Sequence, residues 1–174
     1  MRNIYGGGNN TNVNGMAFEK LTDLGKILIS NNYKIIEKEV YKDNNLVGLL
    51  VQKNSFYKDF LAPRGVDYAQ YNSKKWLPDE CFVNLKNKTV YIVEKKYQQS
   101  SGSVDEKLPN CDFKKKEYRK LCSPINFDVE FLYVFNDWFK QSVYKDTLQY
   151  VKDVGCNYEY NSITLNNLGL EWTF

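Results

Sequence analysis

The feature that most constrains the fold is the β-rich run 127–135, which is apolar on both of its faces. A strand of this kind is typical of the centre of a sheet that other layers cover on both sides. The run therefore predicts a central strand with packed layers above and below it.

Further strands and helices are predicted on either side of this run. Apolar residues spaced three and four apart from Met16 to Leu28 predict a helix that reaches about Ser30. A capping box at Ser103 and Glu106 predicts another helix to about residue 122, with Pro109 delaying its start or kinking it. A last helix is predicted over 143–154, and strand-like runs occupy 33–41, 46–53, 80–85 and 89–97. This order predicts an α/β or α+β sandwich with a mixed sheet.

We expect one domain over residues 1–174. The chain is 43% hydrophobic and 26% charged, and no repeat or interior linker divides it. Residues 1–15 are expected to form a loop or mobile arm, because glycine, asparagine and threonine fill most of their second half. Apolar runs fall far short of the roughly 18 residues that span a bilayer, and the N-terminus does not resemble a secretory signal. We therefore expect a cytoplasmic protein with no membrane partner.

The chain has no histidine, and this excludes several classes of enzyme. Serine–histidine and cysteine–histidine hydrolases, zinc–histidine enzymes and nucleases with an imidazole base all need that residue. The four cysteines form no C-x-x-C pair and are expected to be reduced, packed thiols. Any chemistry must then use carboxylates, lysine, tyrosine, thiol or a hard metal ion, of which magnesium is the first candidate.

Two carboxylates and a lysine are predicted to meet where two strands pair. If the strands on either side of residues 87–88 form a tight antiparallel hairpin, Asp79 lies opposite Lys96, and Glu94 projects to the same face. Residues whose Cβ atoms lie roughly 5–8 Å apart on paired strands can hold one Mg²⁺ between their carboxylates, and a metal-bound water can attack phosphorus. Lys96 could hold that water or a phosphate oxygen. The alternative is an exposed Glu94–Lys96 salt bridge at a strand end.

These residues resemble a known family. Pro78-Asp79 and, fifteen residues on, Glu94-Lys95-Lys96 look like the core motif of the PD-(D/E)XK nuclease superfamily. Residues 7–19 and 94–107 are similar to the corresponding parts of its small type II restriction endonucleases. The resemblance implies a restriction-endonuclease-like three-layer core, in which helices flank a mixed central β-sheet. It also implies Mg²⁺-dependent hydrolysis of double-stranded DNA at a short palindromic site, leaving 5′-phosphate ends.

The resemblance also implies roles for individual residues. By it, Asp79 and Glu94 bind metal and Lys96 assists the nucleophile, while Glu19 is an auxiliary acid and Gln98 lines the site. A shift in strand pairing would let Glu80 replace its neighbour Asp79. A homodimer and a cognate DNA methyltransferase are expected partners.

Four basic residues are candidates for DNA contact: Arg64, Lys114, Lys115 and Arg119. Arg64 occupies a Pro-Arg-Gly turn and could read a guanine edge, whereas the other three lie on the predicted helix before residue 122. The alternative for this helix is a solvated basic face. Two other functions remain open, a structure-selective or repair nuclease on the same fold and a non-catalytic DNA-binding protein.

Overall fold

The computed structural model describes residues 8–170 and contains a seven-stranded sheet whose strands are neighbours in chain order. The first five strands pair antiparallel, and the last two join in parallel, so the sheet is mixed as predicted. The strands are β1 Lys34–Ile36, β2 Glu39–Lys42, β3 Asn45–Val51, β4 Glu80–Asn84, β5 Thr89–Lys96, β6 Asp128–Phe135 and β7 Asn157–Tyr160. The α-helices are α1 Gly8–Leu21, α2 Leu24–Ser30, α3 Asn110–Cys122 and α4 Lys145–Asp153.

Both faces of the sheet are covered, which confirms the three-layer prediction. A π-helical segment, Phe56–Leu61, packs with α3 and α4 on one face. Helices α1 and α2 and the segment 163–170 cover the other face. Strand β6 contributes Phe131 and Phe135 to the first cluster and Leu132 and Val134 to the second. Its two apolar faces therefore lie in two separate buried layers.

The N-terminal region differs from the prediction. The single helix expected to end near Ser30 is two helices, and α2 begins after Asp23, whose side chain accepts the Lys26 N–H at 2.8 Å. This N-cap competes with a continuous helix because its carboxylate satisfies a free backbone donor. The loop expected over 1–15 is wrong for residues 8–15, which belong to α1, and residues 1–7 lie outside the described part.

Two other local predictions are corrected. The strand run 33–41 is a hairpin of β1 and β2, because Glu37 adopts a left-handed φ of 55° and turns the chain. The capping box at Ser103 does not start α3, which begins at Asn110 directly after Pro109. Proline has no backbone N–H, so Pro109 delays the start of the helix and does not kink it.

The pairing of β4 with β5 differs from the predicted register by two residues. Cys81 lies opposite Ile92 and Val83 opposite Val90, because the loop between the strands has four residues, 85–88, instead of a two-residue turn. The Asn84 side chain stabilises this loop by accepting the N–H groups of residues 86 and 87. Side chains alternate with a period of two, so a shift of two leaves every side chain on its predicted face.

Within residues 8–170, no helix is long and apolar enough to cross a membrane. The four cysteines are buried and carry free thiols, in agreement with their expected role as packed hydrophobic groups: Cys81, Cys111, Cys122 and Cys156.

Candidate active site

The candidate site lies at the sheet edge where β4 begins and β5 ends. In an antiparallel pair the start of one strand meets the end of its neighbour, so Asp79, just before β4, comes close to Glu94 near the end of β5. Strand β3 ends at the same edge, and the Lys53 N–H donates to the Pro78 carbonyl at 2.9 Å. Three strands therefore fix the backbone around the two acids.

The structure brings Asp79, Glu94 and Lys96 together. The Lys96 ammonium lies 3.1 Å from Glu94 Oε2 and 3.9 Å from Asp79 Oδ2. The Lys95 backbone N–H donates to Asp79 Oδ2 at 2.9 Å and orients that carboxylate. Glu94 is only 3% exposed, and its Oε1 is buried with no hydrogen-bond partner. A buried carboxylate oxygen without a partner is costly unless another group satisfies it.

Helix α3 supplies another lysine to this site. The Lys114 ammonium lies 3.0 Å from Glu94 Oε2, the same oxygen that contacts Lys96. The sequence suggested only DNA contact for Lys114. Its approach to Glu94 depends on the packing of α3 against β6, which brings two distant parts of the chain together. The sequence held one indication of this contact. Lys114 lies three residues after Cys111 and four before Tyr118, so it shares a helix face with these two buried residues.

Tyr118 is a second α3 residue that the sequence analysis missed. Its side chain is fully buried and its hydroxyl has no hydrogen-bond partner. Burial raises the pKa of this phenol well above its ordinary value, and the neighbouring Glu94 carboxylate raises it further. Tyr118 is therefore a neutral donor beside the two acids.

The structure separates Lys95 and Glu80 from this group. Their side chains project to the opposite face of the sheet, where they form a 2.8 Å ion pair that is 8% and 13% exposed. Both Glu80 oxygens lie 3.3 Å from the Leu24 N–H at the start of α2. Burial raises the pKa of Glu80, and the hydrogen bond from Lys95 opposes that shift. The role of Glu80 is thus to anchor α2, and its position does not favour replacement of Asp79.

Glu19 lies on α1, on the same side of the sheet as Lys95. Its side chain is exposed, and its backbone carbonyl accepts the Lys95 ammonium at 3.3 Å. With Asp79 and Glu80 it lines an open cleft of about 260 Å³. Glu19 therefore lies on the side of the site that Asp79 borders. The Glu94 side chain points to the opposite face of β5.

Gln98 is buried just beyond the end of β5. Its Nε2 donates to the Ser100 carbonyl at 2.7 Å, and its Oε1 has no partner. Asn136, at the end of β6, bonds the Gln98 backbone twice, accepting its N–H at 3.2 Å and donating to its carbonyl at 2.8 Å. Asn136 was missed because only the parallel pairing of β5 and β6 brings it to this loop. Asn136 therefore holds the backbone of the segment that follows β5.

The remaining basic candidates have different surroundings. Arg119 is exposed on α3. Lys115 is buried, and its ammonium bonds Glu130 at 2.8 Å and the Gly155 carbonyl at 2.6 Å. Arg64 donates to the Phe60 carbonyl at 2.9 Å and its guanidinium lies over the Phe60 ring. The charged groups of Lys115 and Arg64 are therefore already bonded within the protein. This does not favour a role for either residue in reading DNA.

A mixed sheet between two helical layers, with paired acids and a lysine at one edge, is consistent with a restriction-endonuclease-like nuclease fold. The model of the PD-(D/E)XK nuclease superfamily domain matches residues 27–122, more than half of the chain. The protein therefore belongs to the PD-(D/E)XK nuclease superfamily. Comparisons with curated proteins and with solved structures gave no match. The matched range contains Asp79, Glu94 and Lys96, and Glu19 precedes it.

Proposed function

We propose that the protein is a type II restriction endonuclease that hydrolyses double-stranded DNA at a short palindromic site and leaves 5′-phosphate ends. Membership of the nuclease superfamily supports phosphodiester hydrolysis in general. The observation that carries the proposal is the meeting of Asp79, Glu94 and Lys96 at one sheet edge, with one Glu94 oxygen buried and unpartnered.

The carboxylates fit a magnesium ion. Glu94 Oε1 is a buried acceptor without a donor, which is the environment that a cation would satisfy. Within residues 8–170, no group of three or more acidic, cysteine or histidine side chains is placed to hold a metal. Mg²⁺ commonly uses one or two carboxylates and keeps several waters, so Asp79 and Glu94 suffice as its side-chain ligands. When bound, Mg²⁺ supplies a more acidic water and neutralises charge at phosphorus.

The other residues would orient the reaction. Lys96 presents an ammonium between the two acids, where it can hold the attacking water and donate to a non-bridging phosphate oxygen. The Lys95 N–H keeps Asp79 in position through the backbone. Gln98, buried just beyond β5, would line the site, and Glu19 would be the auxiliary acid at the Asp79 edge.

We assign the wider DNA contact to Arg119, which is exposed on α3. Arg64 and Lys115 would first have to release their contacts within the chain. Two copies related by a twofold axis would match a palindrome, so we propose a homodimer. A cytoplasmic restriction–modification system with a cognate methyltransferase is the corresponding setting.

Digestion of an unmodified plasmid by the purified protein tests this function. The reaction is run with Mg²⁺, with EDTA, and with Glu94→Ala, whose loss of a metal ligand should abolish cleavage. Glu39→Ala is the matched control, because Glu39 lies on β2 and its side chain accepts the Tyr41 hydroxyl. This variant should cleave as the unchanged protein does.

Discrete fragments that disappear with EDTA and with Glu94→Ala would support a site-specific metal nuclease, and their ends would define the sequence and the stagger. A smear would instead favour the structure-selective or repair nuclease. Intact DNA in every reaction, over plasmids of varied sequence, would favour the non-catalytic DNA-binding protein. Persistent cleavage by Glu94→Ala would overturn the assigned site.

A further inference from the structure

We propose that Lys114 is a second lysine of the catalytic site, which competes with the metal for Glu94 and moves to the scissile phosphate when the metal binds. The second half of this inference rests on the proposed nuclease function, whereas the first half can be tested without DNA.

One oxygen of Glu94 contacts two ammonium groups. Lys96 and Lys114 lie 3.1 Å and 3.0 Å from Oε2, and they come from different layers of the fold. Each positive group in this small space repels the other, and both would repel an incoming divalent cation. With Asp79 included, two carboxylates and two ammonium groups make the local charge zero. The metal must therefore enter a site whose negative charge is already neutralised.

The two lysines are not equivalent in this arrangement. Lys96 lies near both Asp79 and Glu94, so two carboxylates hold its ammonium in place. The ion pair described for Lys114 is the one with Glu94. The Lys114 side chain is 23% exposed, so its head can leave Glu94 towards solvent without crossing the core.

The phosphate is the natural partner of a displaced Lys114. Substrate would bring negative charge close to the displaced ammonium, and lysine binds phosphate oxygen as a compact point charge. The flexible four-carbon stem allows this movement while α3 stays in place. Lys114 would then stabilise charge that grows on the phosphoryl oxygens during attack.

Calorimetric titration of the full chain with Mg²⁺, without DNA, tests the competition. Lys114→Gln should bind Mg²⁺ about tenfold more tightly than the unchanged protein, because one nearby positive charge is lost. Lys114→Arg keeps the charge and should leave the dissociation constant within about twofold. Lys116→Gln makes the same charge change on the same helix, but Lys116 is exposed and pairs with Asp112. It should also stay within about twofold, because solvent and salt screen that site.

Single-turnover cleavage at saturating Mg²⁺ tests the phosphate contact. Lys114→Gln should cleave about 100-fold more slowly, the order of magnitude for loss of one group that stabilises the transition state. Lys116→Gln should cleave at the unchanged rate. Thermal melting without metal shows that each variant is folded at the assay temperature.

The outcomes separate the two proposals. Equal Mg²⁺ affinity in Lys114→Gln and the unchanged protein, or no Mg²⁺ binding by either, would overturn the competition. Tighter Mg²⁺ binding with unchanged cleavage would overturn the transfer to phosphate. Tighter Mg²⁺ binding in a protein that cuts no DNA would support the competition at Glu94 and count against both the nuclease and the phosphate contact.

Discussion

Replacement of the adjacent residues Lys95 and Lys96 by methionine should affect different properties, stability in the first case and cleavage in the second. Lys95 pairs with Glu80 on one face of the sheet, and Lys96 lies between Asp79 and Glu94 on the other. Lys95→Met should therefore lower stability, whereas Lys96→Met should lower cleavage. Methionine retains much of the apolar stem, so the lost charge dominates each effect.

The size of the stability loss follows from burial. Lys95 and Glu80 are 8% and 13% exposed, and removal of one partner from a buried ion pair costs about 3–5 kcal/mol. For a chain of this length, that loss corresponds to a fall in Tm of about 10 °C. Lys96 is 25% exposed, and its removal leaves the buried Glu94 carboxylate paired with Lys114 at 3.0 Å. No buried charge loses its last partner, so the loss is that of a partly solvated pair, about 1 kcal/mol or less. Lys96→Met should therefore melt within about 3 °C of the unchanged protein.

The assay combines thermal melting with plasmid cleavage at a temperature at which both variants are folded. Lys95→Met should still cleave, because the bond that orients Asp79 comes from the Lys95 backbone. Lys96→Met should lose about 100-fold or more in rate. Adding Glu80→Gln to Lys95→Met should recover about half of the lost stability or more, since the amide oxygen can still accept the Leu24 N–H. Equal melting temperatures for the two single variants, or an inactive but folded Lys95→Met, would contradict the assignment of the two lysines to opposite faces.

Two further predictions concern packing and pH. A Cβ on Gly48 would lie 2.5 Å from two ring carbons of the buried Phe82, so Gly48→Ala should lower the free energy of unfolding by about 2 kcal/mol in a urea titration. A Cβ on Gly15, inside α1, would lie 3.8 Å from the Tyr97 ring, so Gly15→Ala should raise the free energy of unfolding by about 0.5 kcal/mol. A loss below about 0.5 kcal/mol for Gly48→Ala would contradict the crowding at Phe82. Burial raises the pKa of Tyr57 to about 12, above an ordinary value of about 10 in the unfolded chain. The folded state holds this proton more tightly, so its contribution is intact below pH 10 and falls by about 2 kcal/mol as the pH rises through 12. Tyr57→Phe should flatten that part of the stability–pH curve, and an unchanged slope would show that other groups produce it.

The shared face of Asp79, Glu94 and Lys96 could be predicted from the sequence despite a wrong register. The predicted hairpin placed Asp79 opposite Lys96, and the real one is displaced by two residues by a four-residue loop. The prediction of a shared face is confirmed because alternation in a strand has a period of two. A displacement of one residue would have moved Glu94 to the side now occupied by Lys95.

Local side-chain bonds decided several features that periodicity could not predict. The apolar spacing continued through Asp23, yet its carboxylate caps a new helix there. Glycine and asparagine in residues 8–15 suggested a loop, but these residues belong to α1. Helix propensity is a weak guide where tertiary contacts, such as the Phe18–Tyr97 ring contact, hold the helix against the sheet.

Alternation along nearby strands was enough to predict the mixed sheet with two covering layers and the grouping of Asp79, Glu94 and Lys96. The second lysine at Glu94 and the groups around the site depend instead on packing between distant elements. Lys114 reaches Glu94 through the packing of α3, and Asn136 reaches Gln98 through the parallel pairing of β6. These contacts join residues 20 and 38 positions apart, and no local period encodes them.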